Sequence, residues 1–243
     1  MPEGPSIVIL KEETQQFSGQ KVIGVSGNSA IDIQRAKEKE IKSFKTWGKH
    51  FLICFDDFTI KIHLLMFGTY RINERKDGEP RLRLIFQNGE INFYTCSVKI
   101  LEGDIDSHYD WREDVMNKKW DAEKAKKSLE KIPKQMICDV VLDQNIFSGV
   151  GNIIKNEILY RCYVHPESLV GKIPPLKIEE IIDECSIYSF EFLKWKKKSE
   201  LKKHWLAHTR KICLRCDLPI IKKQTGVKKR RSFFCTNCQN IYQ

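Results

Sequence analysis

Four cysteines near the C-terminal end have the spacing of a metal site. They form two Cys-x2-Cys pairs, Cys213 with Cys216 and Cys235 with Cys238, separated by eighteen residues. Four thiolates brought together as two close pairs suit a tetrahedral zinc ion, which supplies folding free energy to a segment lacking a core of its own. Disulfide or redox-active pairs are the alternative. The spacing predicts one structural Zn²⁺ as cofactor, held on two antiparallel strands.

The positive charge of the chain is concentrated in the same region. The whole chain has 42 Lys and Arg against 32 Asp and Glu. Residues 190–243 contain 15 of the basic residues and 3 of the acidic ones, so the preceding part is slightly acidic. A solvated basic tail and a polyanion-binding module both fit this pattern. Nucleic acid is favoured over membrane because no amphipathic basic helix is evident.

Length and composition exclude several classes of protein. With 243 residues, 41% of them hydrophobic and 30% charged, the chain is expected to form one large or two modest globular domains. No apolar run approaches the roughly 18 residues that a membrane span needs, and no secretory signal is visible. We therefore expect an intracellular, cytoplasmic location, which in a bacterium would be nucleoid-associated.

Hydrophobic periodicity predicts two different halves. Residues 7–17 predict a short helix, and the alternating apolar residues at 58–64 and 82–86 predict strands of a β-sandwich. Helical patterns return after residue 116. The predicted fold class is therefore α+β, with an N-terminal β-sandwich and leading helix, then a helical module and a zinc hairpin. The predicted domains are 1–115, a linker over 116–133, a helical domain over 134–204 and a zinc finger over 205–243.

Two further segments could contact a ligand. Leu65, Met66 and Phe67 precede Gly68, and such an apolar loop is either part of the core or an exposed wedge. Asn152 follows a Gly-rich break and is predicted to begin a helix, where amides point outward and can receive a phosphate. A plain helix cap is the alternative at Asn152.

Three separated stretches of the chain together resemble a known family. The chain begins Met1-Pro2-Glu3-Gly4-Pro5, its middle carries DQNIFSGVGNIIKNEILYRCYVHPE, and its end is the four-cysteine hairpin with RRSFFCTNCQ. In this order they resemble the formamidopyrimidine-DNA glycosylase and endonuclease VIII family of base-excision repair enzymes. The middle stretch looks like the family's helix–two-turn–helix module. The PEGP start looks like the endonuclease VIII branch, whereas His165-Pro166 looks more like the formamidopyrimidine branch.

The resemblance implies catalytic roles for three residues. Pro2, after removal of Met1, is the implied nucleophile, because an α-amino group with a pKa near ~7.7–8.0 keeps an appreciable neutral fraction at neutral pH. Glu3 is implied to shuttle protons during base departure. Lys49 matches the family's strand-borne lysine, which would bind the phosphate flanking the lesion. Without the resemblance, Pro2 and Glu3 would be ordinary helix-start residues and Lys49 an exposed strand lysine.

The same resemblance implies which residues hold DNA in a cleft between the two domains. Asn152 is implied to bind a phosphate, with Glu157 of the following helix as a structural support. Arg230 stands five residues before Cys235, the spacing of the family's zinc-hairpin arginine, and the adjacent Arg231 could take its place.

The apolar loop fits the family's void-filling loop. An everted nucleotide leaves a gap in the base stack, and an inserted apolar side chain offsets part of the few kcal/mol of unstacking. By position Met66 is the first candidate for this wedge, with Leu65 and Phe67 beside it.

The function expected from the resemblance is that of a bifunctional DNA glycosylase and abasic-site lyase. Such an enzyme would excise oxidised bases, pyrimidines in preference, through an N-terminal proline Schiff base and β,δ-elimination. Ser6, where the endonuclease VIII pattern favours a glutamate, leaves the same chemistry on oxidised purines as the first alternative. A non-catalytic zinc-finger protein that binds damaged DNA is the alternative from another class. The expected partner is damaged double-stranded DNA, bound by a monomer without a membrane or a small-molecule cofactor.

Overall fold

The structure is a computed structural model, and it describes residues 2–243. The chain divides into two compact units, Met1–Asp110 and Trp111–Gln243. Within the described residues, no helix combines the length and the apolar character needed to cross a bilayer.

The first unit begins with helix α1 (Gly4–Thr14), which carries Pro5 in its first turn. A proline there costs no hydrogen bond, since the first N–H groups of a helix have no intrahelical partner. Ile7, Leu10 and Thr14 are buried at spacings of three and four residues, so one face of α1 packs on the core.

Two antiparallel four-stranded sheets form the rest of this unit. In one the strand order is β1-β6-β7-β5, and in the other it is β2-β3-β4-β8. Residues from both sheets share one hydrophobic core, in which the rings of Phe51 and Phe93 lie 5.9 Å apart. The predicted β-sandwich is confirmed. The strands are β1 (Gly24–Ser26), β2 (Ser43–Trp47), β3 (His50–Cys54), β4 (Phe58–His63), β5 (Thr69–Ile72), β6 (Leu82–Phe86), β7 (Gly89–Tyr94) and β8 (Ser97–Glu102).

The second unit is helical and ends in a hairpin. Helices α4 and α5 form its centre, where Ile154 and Ile158 of α4 and Ile181 and Ile182 of α5 are buried in one core. The antiparallel strands β9 and β10 follow and pair Arg230 with Thr225. The elements are α2 (Ala122–Glu130), α3 (Ile137–Val140), α4 (Asn152–Arg161), α5 (Pro175–Lys197), β9 (Ile221–Thr225) and β10 (Arg230–Phe234).

The structure places the predicted linker segment and Lys49. Residues 116–133, predicted to be a charged, helical linker, include α2, whose Ala125 and Leu129 are buried in the core of the second unit. The Asp121 carboxylate caps this helix by accepting a hydrogen bond from the Lys124 N–H at 2.9 Å. Lys49, expected on a strand, instead lies in the two-residue turn between β2 and β3, because Trp47 pairs directly with His50.

Candidate functional site

The N-terminal segment places a buried acid beside Pro2. Glu3 is fully buried and directly precedes α1. Glu3 occupies the N-cap position of that helix, and its carboxylate makes no capping hydrogen bond to the first turn. Burying a carboxylate is costly, and acids in such positions are frequently catalytic. Met1, whose removal would expose the Pro2 amine, lies outside the described residues.

Lys49 lies at the tip of a tight turn. Gly48 precedes it with φ +52°, a left-handed conformation that glycine adopts without strain and that two-residue hairpin loops require. The turn is fixed at its base, where the Trp47 Nε1–H donates to the Asp110 carbonyl at 2.9 Å and Tyr109 contacts His50. The Lys49 ammonium is therefore carried on a short, well-anchored backbone segment.

The apolar loop between β4 and β5 is exposed and not part of the core. Leu65, Met66 and Phe67 are 48%, 55% and 77% exposed, whereas the preceding Leu64 is buried. The loop is a single tight turn, closed by the Gly68 N–H donating to the Leu64 carbonyl at 2.7 Å. A Cβ on Gly68 would collide with that carbonyl, so the turn requires glycine there. Three large apolar side chains are thus held out in solvent, and Phe67 is the most exposed of them.

The four hairpin cysteines come together as a candidate metal centre. Their sulfur atoms all lie within 4.8 Å of one another, and Cys216 Sγ is 3.3 Å from both Cys213 Sγ and Cys235 Sγ. A tetrahedral zinc ion with Zn–S bonds of about 2.3 Å would hold its sulfurs about 3.8 Å apart, so the cluster fits such an ion. The Tyr160 hydroxyl lies 3.2 Å from Cys213 Sγ, as hydrogen-bonding neighbours of metal-bound thiolates commonly do.

Helix α4 holds strand β10 at Arg231 and the two residues that follow it. The Arg231 carbonyl accepts hydrogen bonds from Asn152 Nδ2 at 2.9 Å and from Lys155 Nζ at 3.1 Å. The fully buried Lys155 also donates to Ser232 Oγ at 2.8 Å, and Asn156 Oδ1 accepts from the Phe233 N–H at 3.1 Å. Asn152 begins α4 as predicted, with its Oδ1 buried and lacking a hydrogen-bond partner within residues 2–243. The Asn152 amide is thus part of the support for the hairpin.

Two buried acids hold the segment before the hairpin and the hairpin turn. Glu157 Oε1 and Oε2 together accept hydrogen bonds from the N–H groups of Leu206, Ala207 and His208 at 2.7–3.0 Å. Burial raises the pKa of the Glu157 carboxyl, and these backbone hydrogen bonds oppose that shift. Asp139 of α3 accepts from the Val227 and Lys228 N–H groups in the turn between β9 and β10.

Sequence reasoning missed Asp139 and Lys155. Both are charged residues inside otherwise apolar helical patterns, and a charged residue at such a position indicates a buried polar contact. The sequence does not indicate which distant backbone group each side chain bonds.

Comparison with known proteins identifies related sequences for both units. A family model of the formamidopyrimidine-DNA glycosylase N-terminal domain matches residues 1–97, and a model of the H2TH domain of the same enzymes matches residues 112–188. An endonuclease 8-like 3 of Xenopus laevis is 28% identical over 231 residues, which cover 90% of this chain and 38% of that protein. The DNA-(apurinic or apyrimidinic site) lyase Nei2 of Mycolicibacterium smegmatis is 24% identical over 229 residues, covering 87% of this chain and 86% of that protein.

Solved structures with the same fold include DNA-bound enzymes. A viral DNA glycosylase superposes with a TM-score of 0.84 at 20% identity, and the superposition covers 98% of this chain and 100% of the viral chain. The formamidopyrimidine-DNA glycosylase of Lactococcus lactis, bound to DNA containing an AP site, superposes with a TM-score of 0.86 at 20% identity, covering 98% and 99% of the two chains. The predicted two-domain α+β fold is confirmed.

The chain belongs to the formamidopyrimidine-DNA glycosylase family, since models for two of the family's domains together match most of its length. Within that family it resembles the endonuclease VIII-like branch, in agreement with its sequence relatives. It spans only 38% and 34% of the endonuclease 8-like 3 proteins of Xenopus laevis and Mus musculus.

Proposed function

We propose that this chain is a bifunctional DNA glycosylase and abasic-site lyase that excises oxidised bases from duplex DNA. The observation that carries the proposal is the fully buried Glu3 directly beside Pro2, in a chain with the family's two domains. A buried carboxylate next to a potential secondary amine is the pair that amine-based glycosidic cleavage needs.

The chemistry begins at the nitrogen of Pro2, once Met1 has been removed. The amine attacks C1′ of the damaged nucleotide, the glycosidic bond breaks, and the base leaves with a proton. The nitrogen then loses its proton, the C1′–O4′ bond breaks, and O4′ takes up a proton, which leaves an iminium between nitrogen and C1′. Because the amine is secondary, this iminium has no N–H proton to lose and remains a strong electron sink. Loss of a proton from C2′ then expels the 3′ phosphate, and a second elimination expels the 5′ phosphate.

Glu3 and Lys49 serve this sequence in different ways. Glu3 delivers the proton to the departing base and to the opening sugar ring, which is the work of a general acid. Lys49 places an ammonium charge on the phosphate flanking the lesion and so fixes C1′ relative to the amine. Because Lys49 is carried on an anchored two-residue turn, its backbone position is set before DNA binds.

The second unit supplies the remaining contacts to DNA. Cys213, Cys216, Cys235 and Cys238 hold a Zn²⁺ ion, which stabilises the hairpin and takes no part in the reaction. Arg230, at the start of β10, binds a phosphate beside the everted nucleotide, and the exposed Arg231 follows it. Oxidised pyrimidines are the preferred substrates, in keeping with the endonuclease 8-like names of the relatives.

Borohydride trapping on a duplex with one abasic site tests the lyase. The processed protein should form a covalent adduct whose intact mass equals that of the chain without Met1 plus the sugar-bearing fragment. A Pro2→Gly variant that retains Met1 should give no adduct. Absence of an adduct with the processed wild type, or an adduct that survives in that variant, would contradict the proposal.

A lesion panel tests the glycosylase and its preference. Thymine glycol should be excised faster than 8-oxoguanine from otherwise identical duplexes, and the reverse order would assign the enzyme to oxidised purines. Glu3→Gln should slow excision from a lesion much more than cleavage of a preformed abasic site, because the latter has no base to protonate. Equal slowing of both would show that Glu3 does not protonate the departing base.

A further inference from the structure

The outer face of the β2-β3-β4-β8 sheet carries a group of basic side chains. Phe51, Ile60 and Ile62 point into the core, so the residues that alternate with them lie on the opposite face. On that face the register pairs His50 with His63 and Lys61 with Lys99 across neighbouring antiparallel strands. We call His50, Lys61, His63 and Lys99 the basic sheet face.

The charges of Lys61 and Lys99 on the basic sheet face repel each other. The pKa of Lys61 is lowered by burial and then by the charge of Lys99. The pKa of His50 is lowered to about 3, first by burial and then by neighbours that are all basic, namely Lys61, His63, Lys49 and Lys99. The charged neighbours named for the shifts at Lys61 and His50 are all basic. Lys61 and Lys99 therefore form a like-charged pair on this face, close to Lys49.

This clustering does not follow from the composition of the unit. Residues 1–110 contain 15 Lys and Arg against 16 Asp and Glu. Several other basic residues in the unit are paired with acids, as Arg35 is with Glu102 at 2.6 Å and Arg75 with Glu90 at 2.8 Å. Like charges directly opposite across two strands destabilise a sheet. When a nearly neutral unit keeps such a destabilising pair of like charges at one place, the pair is typical of a surface that binds a polyanion.

The basic sheet face is continuous with Lys49. Lys49 directly precedes His50, and its charge lowers the pKa of both His50 and His63. Lys61 stands two residues before His63 on the same strand face, a step of about 6.8 Å. We propose that Lys61 and Lys99 bind the phosphodiester backbone of the duplex next to the nucleotide held by Lys49. This inference rests on the proposed function for the identity of its polyanion, which is duplex DNA.

The test compares the salt dependence of DNA binding between variants. Lys61→Gln, Lys99→Gln and the double variant would be titrated against a duplex with a stable abasic-site analogue, from 50 to 300 mM salt, by fluorescence anisotropy. Lys21→Gln is the matched control, since it removes the same charge from an exposed lysine that pairs with Glu38 at 2.6 Å. Replacing either Lys61 or Lys99 should reduce the slope of log K against log salt concentration by about 0.9. The double variant should reduce it by about 1.8, with the control unchanged.

Thermal unfolding separates a binding role from a structural one. Both single variants should keep or raise Tm, because each removes one member of a like-charge pair. A double variant with the wild-type slope overturns the inference, as does a Lys21→Gln slope reduced as much as the others. If the slopes fall but no borohydride adduct forms with wild type, the proposed lyase fails while the binding surface stands. If adducts form but the slopes do not change, only the binding surface fails.

Discussion

Replacing Phe67 by alanine should weaken binding to damaged DNA more than replacing Met66. Sequence position alone favours Met66 as the wedge, but Phe67 is 77% exposed against 55% for Met66. Both follow Leu65, whose φ of +54° belongs to the tight turn that Gly68 closes. An aromatic ring held out on a rigid turn can stack against bases on either side of the gap, which a thioether side chain cannot do.

The size of the effect follows from the exposed area of the ring. A phenylalanine side chain buries about 150–250 Å², and 77% of the residue is still exposed. At about 25 cal/mol per Å², inserting that area into the base stack is worth about 3–5 kcal/mol before ordering costs. After the ordering costs are subtracted, we expect Phe67→Ala to weaken binding by about 1.5–3 kcal/mol, or about 10- to 150-fold in Kd.

The assay is binding to a duplex with an abasic-site analogue, with 2-aminopurine opposite the gap to report insertion. Met66→Ala should lose less affinity than Phe67→Ala, and Ile23→Ala, which is 48% exposed elsewhere in the unit, should lose none. Unfolding in urea should be unchanged in all three. If Phe67→Ala binds within twofold of wild type while Met66→Ala loses tenfold, exposure is the wrong guide and position in the sequence is the right one.

Three further outcomes are expected. Asp139→Asn removes one charge-assisted acceptor from the hairpin turn and should lower the free energy of unfolding by about 1–3 kcal/mol in urea titrations, with weaker DNA binding; unchanged stability would show that the turn holds itself. Metal analysis should find one zinc per chain, and chelation or Cys235→Ser should abolish DNA binding while leaving the far-UV signal of the β-sandwich in place. Because the folded pKa of His50 is about 3 against about 6.5 when unfolded, its contribution to stability is full above pH 6.5 and is lost as pH falls towards 3. His50→Gln should therefore flatten that acid limb in pH-dependent melts, and an identical limb in the variant would assign the acid sensitivity to other groups.

Local patterns were enough to predict the elements that carry the proposed site. The two Cys-x2-Cys pairs predicted a four-thiolate cluster, and the break before Asn152 predicted the start of α4. Alternating apolar residues predicted β4 and β6, because a strand with one buried face has a period of two. These features are determined by residues close together in the sequence, so the sequence is sufficient to predict them.

Features that depend on register or on distant backbone groups could not be predicted. Lys61 and Lys99 are 38 residues apart, and only the pairing of β4 with β8 places them opposite each other. Asp139 and Val227 are 88 residues apart, and the bond between them depends on how the hairpin turn packs on α3. The segment 116–133 was predicted to be charged and helical, but the sequence did not indicate that Ala125 and Leu129 would bury one face of α2 in the core of the second unit.

The bonds between α4 and β10 have a consequence for protein engineering. The Arg231 carbonyl accepts from Asn152 and Lys155, and the turn of the hairpin depends on Asp139. A hairpin transplanted from a relative would therefore arrive without the helix side chains that orient it, even if it bound its metal normally. Chimaeras between branches should exchange residues 137–243 as one block, and a natural lineage that altered its hairpin would be expected to change α3 and α4 in step.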